Sequence, residues 1–161
     1  MSLESVRAFF AEHAPDIAIL ETDGSSATVT LAAEAFGVEP ARIAKTLSFR
    51  LGERVVLLVT RGDARLDNKK TKAAFGTKPR MLDPGEVVAI TGHPVGGVCP
   101  FGLPTPLPVY CDVSLKAFDE VVPAAGSTQT AVRISPERMA ALTGAEWVDV
   151  CQEPAAREAA E

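Results

Sequence analysis

The stretch TGHPVGGVCPFG, Thr91 to Gly102, restricts the backbone of this chain more than any other. Two adjacent glycines, Gly96 and Gly97, are followed by Pro100 and then by Gly102. Glycine opens backbone angles closed to other residues, while Pro94 and Pro100 fix φ and remove amide donors. Regular helix and strand are both excluded. The segment is predicted to be a rigid loop with bare backbone, where a ligand can approach the amides closely. Upstream, Ala44-Lys45-Thr46-Leu47 puts a lysine inside an apolar run where a short helix meets a strand. Such a lysine either reaches out to solvent or anchors a ligand. Taken together, the two segments suit an anionic or carbonyl-bearing ligand, held by one ammonium and a cage of amides.

The length of 161 residues fits one domain with a real hydrophobic core, expected over 1–151, followed by a tail at 152–161. No apolar run approaches the roughly 20 residues of a membrane span, and the N-terminus lacks the pattern of a signal peptide. Cys99, Cys111 and Cys151 are odd in number and lack CxxC spacing. Free thiols in a reducing cytoplasm fit better than disulfides or a zinc site, and no metal is expected. The net charge of −5 is unevenly spread. Arg65 to Arg80 holds six basic residues against the single acid Asp67, a local +5 that leaves −10 on the rest. A basic patch on an acidic body docks phosphate locally; a solvated helix face is the plainer alternative.

Periodicity and capping signals predict helices from Ser2 to about His13, from a Thr28 cap to Gly37, from Asp67 or Asn68 to Phe75, from Asp83-Pro84 to near Gly92, and from Ser135-Pro136 to Leu142. Pro40 starts a short helical turn. Strands are predicted at Ile17–Leu20, Ala44–Arg50, Val55–Thr60, Val109–Val113, Glu120–Val122, Ala131–Ile134 and Trp147–Cys151. The second and third form a hairpin across Leu51-Gly52-Glu53-Arg54. Short strands interrupted by helices of varied length point to an α+β fold.

The ordered set KTL, GGxxPxG, a strand ending in Asp112 and VVPAAGS resembles the YbaK/EbsC family over about Ser2 to Val150. That family includes free-standing relatives of the prolyl-tRNA synthetase editing domain, which deacylate mischarged tRNA. The resemblance implies a mixed, barrel-like sheet with helices packed outside. It implies an ester hydrolase that needs no cofactor, with the acceptor end of misacylated tRNA as substrate and prolyl-tRNA synthetase as a further partner. Lys45 would hold the terminal adenosine near its phosphate. The Gly96–Pro100 element would polarise the ester carbonyl through its amides, with Gly96 and Gly97 allowing close approach and Pro100 fixing the loop. Thr28, Thr46, His93, Cys99, Ala124 and Gly126 would line the amino-acid pocket. Lys69, Lys70 and Lys72 would meet the tRNA body. The attacking group would be a water, or the substrate's own thiol if the amino acid is cysteine.

Other readings stay open at this point. Cys99 with His93 could form a nucleophile and base. The same pocket could bind an adenosine-ended RNA without turnover. The chain also departs from the cysteine-specific members. Ile19 or Leu20 and Thr28 stand near positions where those members carry aromatic residues, and Ala124 and Ala131 fall near a serine and an aspartate. A different small amino acid, or several, is therefore the expected substrate.

Overall fold

The computed structural model describes residues 2–152. Most of the tail expected at 152–161 therefore lies outside the described residues. Helix α1 spans Ser2–His13, α2 Val29–Phe36, α3 Asn68–Phe75, α4 Pro84–Thr91 and α5 Pro136–Thr143. Each of the last four opens on a side-chain cap from Thr28, Asp67, Asp83 or Ser135, and each closes on a glycine. The capping oxygens satisfy amides that have no partner inside the helix. In α4 the cap is reciprocal, with Asp83 and Glu86 each accepting from the other's backbone.

The strands are β1 Leu20–Glu21, β2 Ile43–Leu51, β3 Arg54–Arg61, β4 Arg80–Met81, β5 Val109–Asp112, β6 Val122–Pro123, β7 Thr130–Ala131 and β8 Glu146–Val148. The main path runs β4-β2-β3-β5-β8, and β6 also pairs with β2. Strands β2 and β3 form the expected antiparallel hairpin, with Leu51 opposite Arg54 across Gly52-Glu53. The β3–β5, β5–β8 and β2–β6 pairings are parallel, so the sheet is mixed. Helices cover it, as the α+β reading expected. Among the described residues the path stays open from β4 to β8 and does not close into a barrel.

Strand β3 explains the layering. Val56 to Val59 are all sealed from solvent, so both faces of this strand are covered. Leu57 and Val59 face a core shared with Val6 and Phe10 of α1, Phe101 and Met139 of α5. Val56 and Leu58 face a second core with Phe49, backed by Phe75 of α3 and by Tyr110. A third cluster joins Ala32, Ala33 and Phe36 of α2 to Ile43, Val122 and Ala131.

Strand bounds differ from expectation at several places: β6 starts at Val122 and not Glu120, β7 ends at Ala131 with Ile134 making only a lone bridge to Val121, and β4 was not expected. Ile17 and Ile19 pack on the first core, and pairing begins only at Leu20. Strand β8 stops at Val148 because the next inward amide, that of Val150, goes to the Asp112 carboxylate. Cys151 then makes a lone bridge to Leu66.

Candidate active site

Strand β2 creates the opening on which the site is built. One of its edges pairs with β3 throughout. The other pairs with β6 at Ile43 and Ala44 and with β4 at Phe49 and Arg50. Between them, Lys45 to Leu47 carry no strand partner on that edge. A cavity of about 310 Å³ opens against this gap. Its walls come from β2, from the start of α2, from Met81 and α4, from Gly96 and Val98 of the glycine-proline loop, and from Val122, Ala124, Thr130 and Ala131. Two other hollows, of about 440 and 530 Å³, lie near α5 and beside α3. Neither includes the lysine or the loop.

Alternation along β2 places Lys45 and Thr46 on opposite faces, and both still reach the cavity because its wall is the strand edge itself. The Lys45 ammonium donates to the carbonyl of Ala64 at 2.7 Å, so its stem is directed rather than loose. The Thr46 hydroxyl oxygen is buried with no hydrogen-bond partner among the described residues. An orphaned polar atom of this kind costs about 1–3 kcal/mol, which a polar group on a ligand could relieve. Thr28 also lines the cavity, but its hydroxyl is engaged in capping α2, accepting from the Leu31 amide at 3.2 Å.

The glycine-proline loop divides along its length. Gly96 and Val98 face the cavity, and neither amide has an acceptor among the described residues. Gly97 turns inward: its amide donates to Pro94 O at 2.9 Å, and its carbonyl accepts from Gly126 at 3.1 Å. Both glycines are demanded by close approach. A Cβ on Gly96 would sit 2.8 Å from the Ala27 Cβ, and one on Gly97 would sit 2.8 Å from three backbone atoms of Ser127. The loop is wedged between the entry to α2 and the turn before β7.

Behind the wall lies a buried hydrogen-bonded cluster. His93 is sealed from solvent, with Nε2 at 2.8 Å from Phe101 O and Nδ1 at 2.5 Å from the Ser2 hydroxyl, which also reaches Gly126 O. With Nε2–H donating to Phe101 O, a neutral imidazole leaves Nδ1 to accept from the Ser2 hydroxyl, whose one proton serves either Nδ1 or Gly126 O. Burial lowers the pKa of His93, outweighing the bond to Phe101. Cys99 is also sealed, and burial pushes its thiol up to about 12. Its sulfur lies 3.6 Å from His93 Nε2. The two residues therefore do meet, but a neutral thiol beside a neutral imidazole, cut off from the cavity, has little nucleophilic character.

Lys45, Thr46, Thr28, Gly96 and Ala124 thus gather at one cavity, while Gly97, Pro100, His93, Cys99 and Gly126 stand behind it. In α3, Lys69 and Lys72 are exposed, whereas Lys70 donates to Asp149 at 3.0 Å and to Cys151 O at 3.1 Å. Val98, Ser26, Met81 and Val95 also line the cavity and were not anticipated. Met81 and Val95 remain largely exposed and form apolar lips. Only Val98 carried a sequence signal, as a variable position inside GGxxP.

The aminoacyl-tRNA editing domain profile matches residues 23–142, a span that includes the cavity and the loop that walls it. The chain belongs to this family. It is 49% identical over 155 residues to YwhH of Bacillus subtilis, an uncharacterised protein, covering 95% of this chain and 99% of that one. EbsC of Enterococcus faecalis, named as a candidate Cys-tRNA(Pro)/Cys-tRNA(Cys) deacylase, is 31% identical over 73% of each chain. A crystal structure described as a candidate trans-editing enzyme for prolyl-tRNA synthetase superposes with a TM-score of 0.87 at 33% identity, covering 94% of this chain and 98% of that one. These relationships support an aminoacyl-tRNA editing, deacylase role. Among the described residues no helix is long and apolar enough to cross a membrane.

Proposed function

We propose that this protein hydrolyses, in trans, the ester of tRNA(Pro) misacylated with a small amino acid. The observation that carries the reading is the meeting of a tethered ammonium, Lys45, and two unengaged amides, Gly96 and Val98, at one cavity on an open strand edge. A volume of about 310 Å³ lies at the small end of ligand pockets, with room for an aminoacyl group and its sugar while the rest of the RNA stays outside. Lys45 attracts the phosphate of the terminal nucleotide. The amides stabilise the oxygen on which charge develops as the ester carbonyl is attacked. Water is the attacking group for substrates without a side-chain nucleophile; the neutral, buried Cys99 takes no part. Ala124, Ala131, Val122 and Thr130 close the end of the cavity and limit the side chain to a small one. Prolyl-tRNA synthetase is the partner whose errors the protein would correct, in keeping with the described role of the structural relative.

The test is a deacylation panel: tRNA(Pro) charged in turn with alanine, cysteine, serine and threonine, beside the same amino acids on a different tRNA. Hydrolysis of one or more small aminoacyl esters, faster on tRNA(Pro), is expected. Equal rates on both tRNA bodies would remove the tRNA(Pro) assignment. Tight binding of every species without cleavage would make the protein a binding module.

A further inference from the structure

Asp112 closes the strand β5 that the sequence singled out, and the chemistry proposed above does not use it. It is the single acidic side chain sealed in the core among the described residues, at 1% exposure. Two backbone amides converge on it: Val150 donates to Oδ1 at 2.8 Å and Ser114 donates to Oδ2 at 2.9 Å. Two donors arriving on two oxygens suit a carboxyl group and not an amide, because an asparagine would turn an N–H toward one of them. A buried carboxylate without such partners would be strongly unfavourable.

Val150 belongs to the segment 149–152, which crosses residues 64–67 like a strap. Asp67 donates to Val150 O at 2.8 Å, Gln152 donates to Arg65 O at 2.8 Å, and Cys151 bridges Leu66. Lys70 binds the strap from outside through Asp149 and Cys151 O. The crossed segment begins at Ala64, whose carbonyl receives the Lys45 ammonium. The Cys151 thiol lies within electrostatic reach of both ends of this chain of contacts. Burial first, then the Asp112 charge, push it up to about 12, against the opposing charge of Lys45.

We infer that Asp112 is a positioning residue for Lys45: its carboxylate seats the 149–152 strap, and the strap holds the Ala64 carbonyl that aims the ammonium along the cavity edge. The inference rests on the reading that Lys45 acts on the substrate. A lysine stem has several free torsions, and a misdirected cation loses its advantage in the transition state. The strap comes from the far end of the chain, so the site depends on a segment that contributes nothing to the cavity wall.

A double-mutant cycle tests this on the full chain. Asp112→Asn should lower kcat/KM about fivefold to tenfold, and adding it to Lys45→Ala should cost nothing beyond Lys45→Ala alone. Lysine side-chain NMR gives a readout independent of turnover. The Lys45 Nζ protons should exchange slowly in the native protein and quickly in Asp112→Asn, with exposed Lys69 unchanged. If Asp112→Asn does not fold, Gln152→Pro removes the amide bond to Arg65 at the end of the strap and should give the same epistasis and the same exchange change. Folded variants whose Lys45 signal does not move, or whose losses multiply with Lys45→Ala, would overturn the inference. Wild-type activity in Lys45→Ala alone would instead sink the functional reading, and this inference with it.

Discussion

Gly96 and Gly97 are neighbours in the chain and face opposite ways in the fold. Gly96 presents an unengaged amide to the cavity, and Gly97 spends its amide on Pro94 and its carbonyl on Gly126. The same division separates the whole front of the site from its back. In front stand Lys45, Thr46, Gly96 and Val98, with polar groups directed or available; behind stand His93, Cys99, Pro100 and Gly126, all buried. The difference shows how one loop does two jobs. Its inward half is bolted through His93 to α1 and to the turn before β7, so that its outward half can hold bare amides without collapsing onto them.

The largest effect expected from testing this division is on stability. Gly97→Ala would drive a Cβ to 2.8 Å from Ser127 backbone atoms, which have no side-chain freedom to yield. Overpacking of this kind costs on the order of 2 kcal/mol, or roughly 4–8 °C in Tm for a chain of this size. Thermal unfolding followed by circular dichroism reads it directly. A Tm within a degree of wild type would mean that the back of the loop is not the fixed frame described here.

Next comes the front. Lys45→Ala removes no core contact of consequence, and it should leave Tm nearly unchanged while lowering deacylation at least about tenfold, roughly 1.4 kcal/mol of transition-state stabilisation. Undiminished turnover by a folded variant would show that front and back do not differ in function.

The same division marks what the sequence could and could not disclose. The hairpin, the five helices described and the caps of the last four were legible because each rests on local chemistry: Thr28, Asp67, Asp83 and Ser135 cap whichever helix follows them. Lys45 and Gly96 were legible through motif and spacing. The open edge of β2 was not, because it depends on β6 and β4 stopping short on either side, a pairing between segments far apart in sequence. For the same reason His93, Cys99 and Gly126, which the family resemblance put on the pocket wall, lie behind it. Nor could spacing foresee that β8 would stop where Asp112 takes the Val150 amide.

A pH series sharpens the account of the back. Burial lowers the pKa of His93 below its ordinary value of about 6.5. The unfolded chain therefore binds this proton more readily than the folded one. The stability associated with neutral His93 is complete above about pH 6.5 and is lost as pH falls toward the depressed folded value. Asp16, Glu86 and Asp119, each held low by an arginine partner, act only at more acidic pH and leave this window clear. Tm should decline between pH 7 and 5.5 in the wild type, and less in His93→Gln. Equal slopes would place the titrating group elsewhere.

The smallest effect concerns the basic helix, where front and back differ again within α3. Lys69 and Lys72 are exposed, and Lys70 is tied to Asp149 and Cys151 O. If the exposed pair meets phosphates of the tRNA body, replacing both by glutamine should raise KM severalfold, leave kcat unchanged and flatten the salt dependence of binding by a slope of about two. Lys70→Gln should act differently. Its ammonium holds the strap that crosses the segment carrying Ala64, so its loss should fall on kcat and on Lys45 exchange, with little change in the salt slope. A short aminoacylated RNA ending before α3 separates the two: it should be indifferent to the Lys69 and Lys72 changes and remain sensitive to Lys70→Gln. Should all three lysines alter the salt slope alike, α3 is one uniform phosphate-binding face and Lys70 does not belong to the frame behind the site.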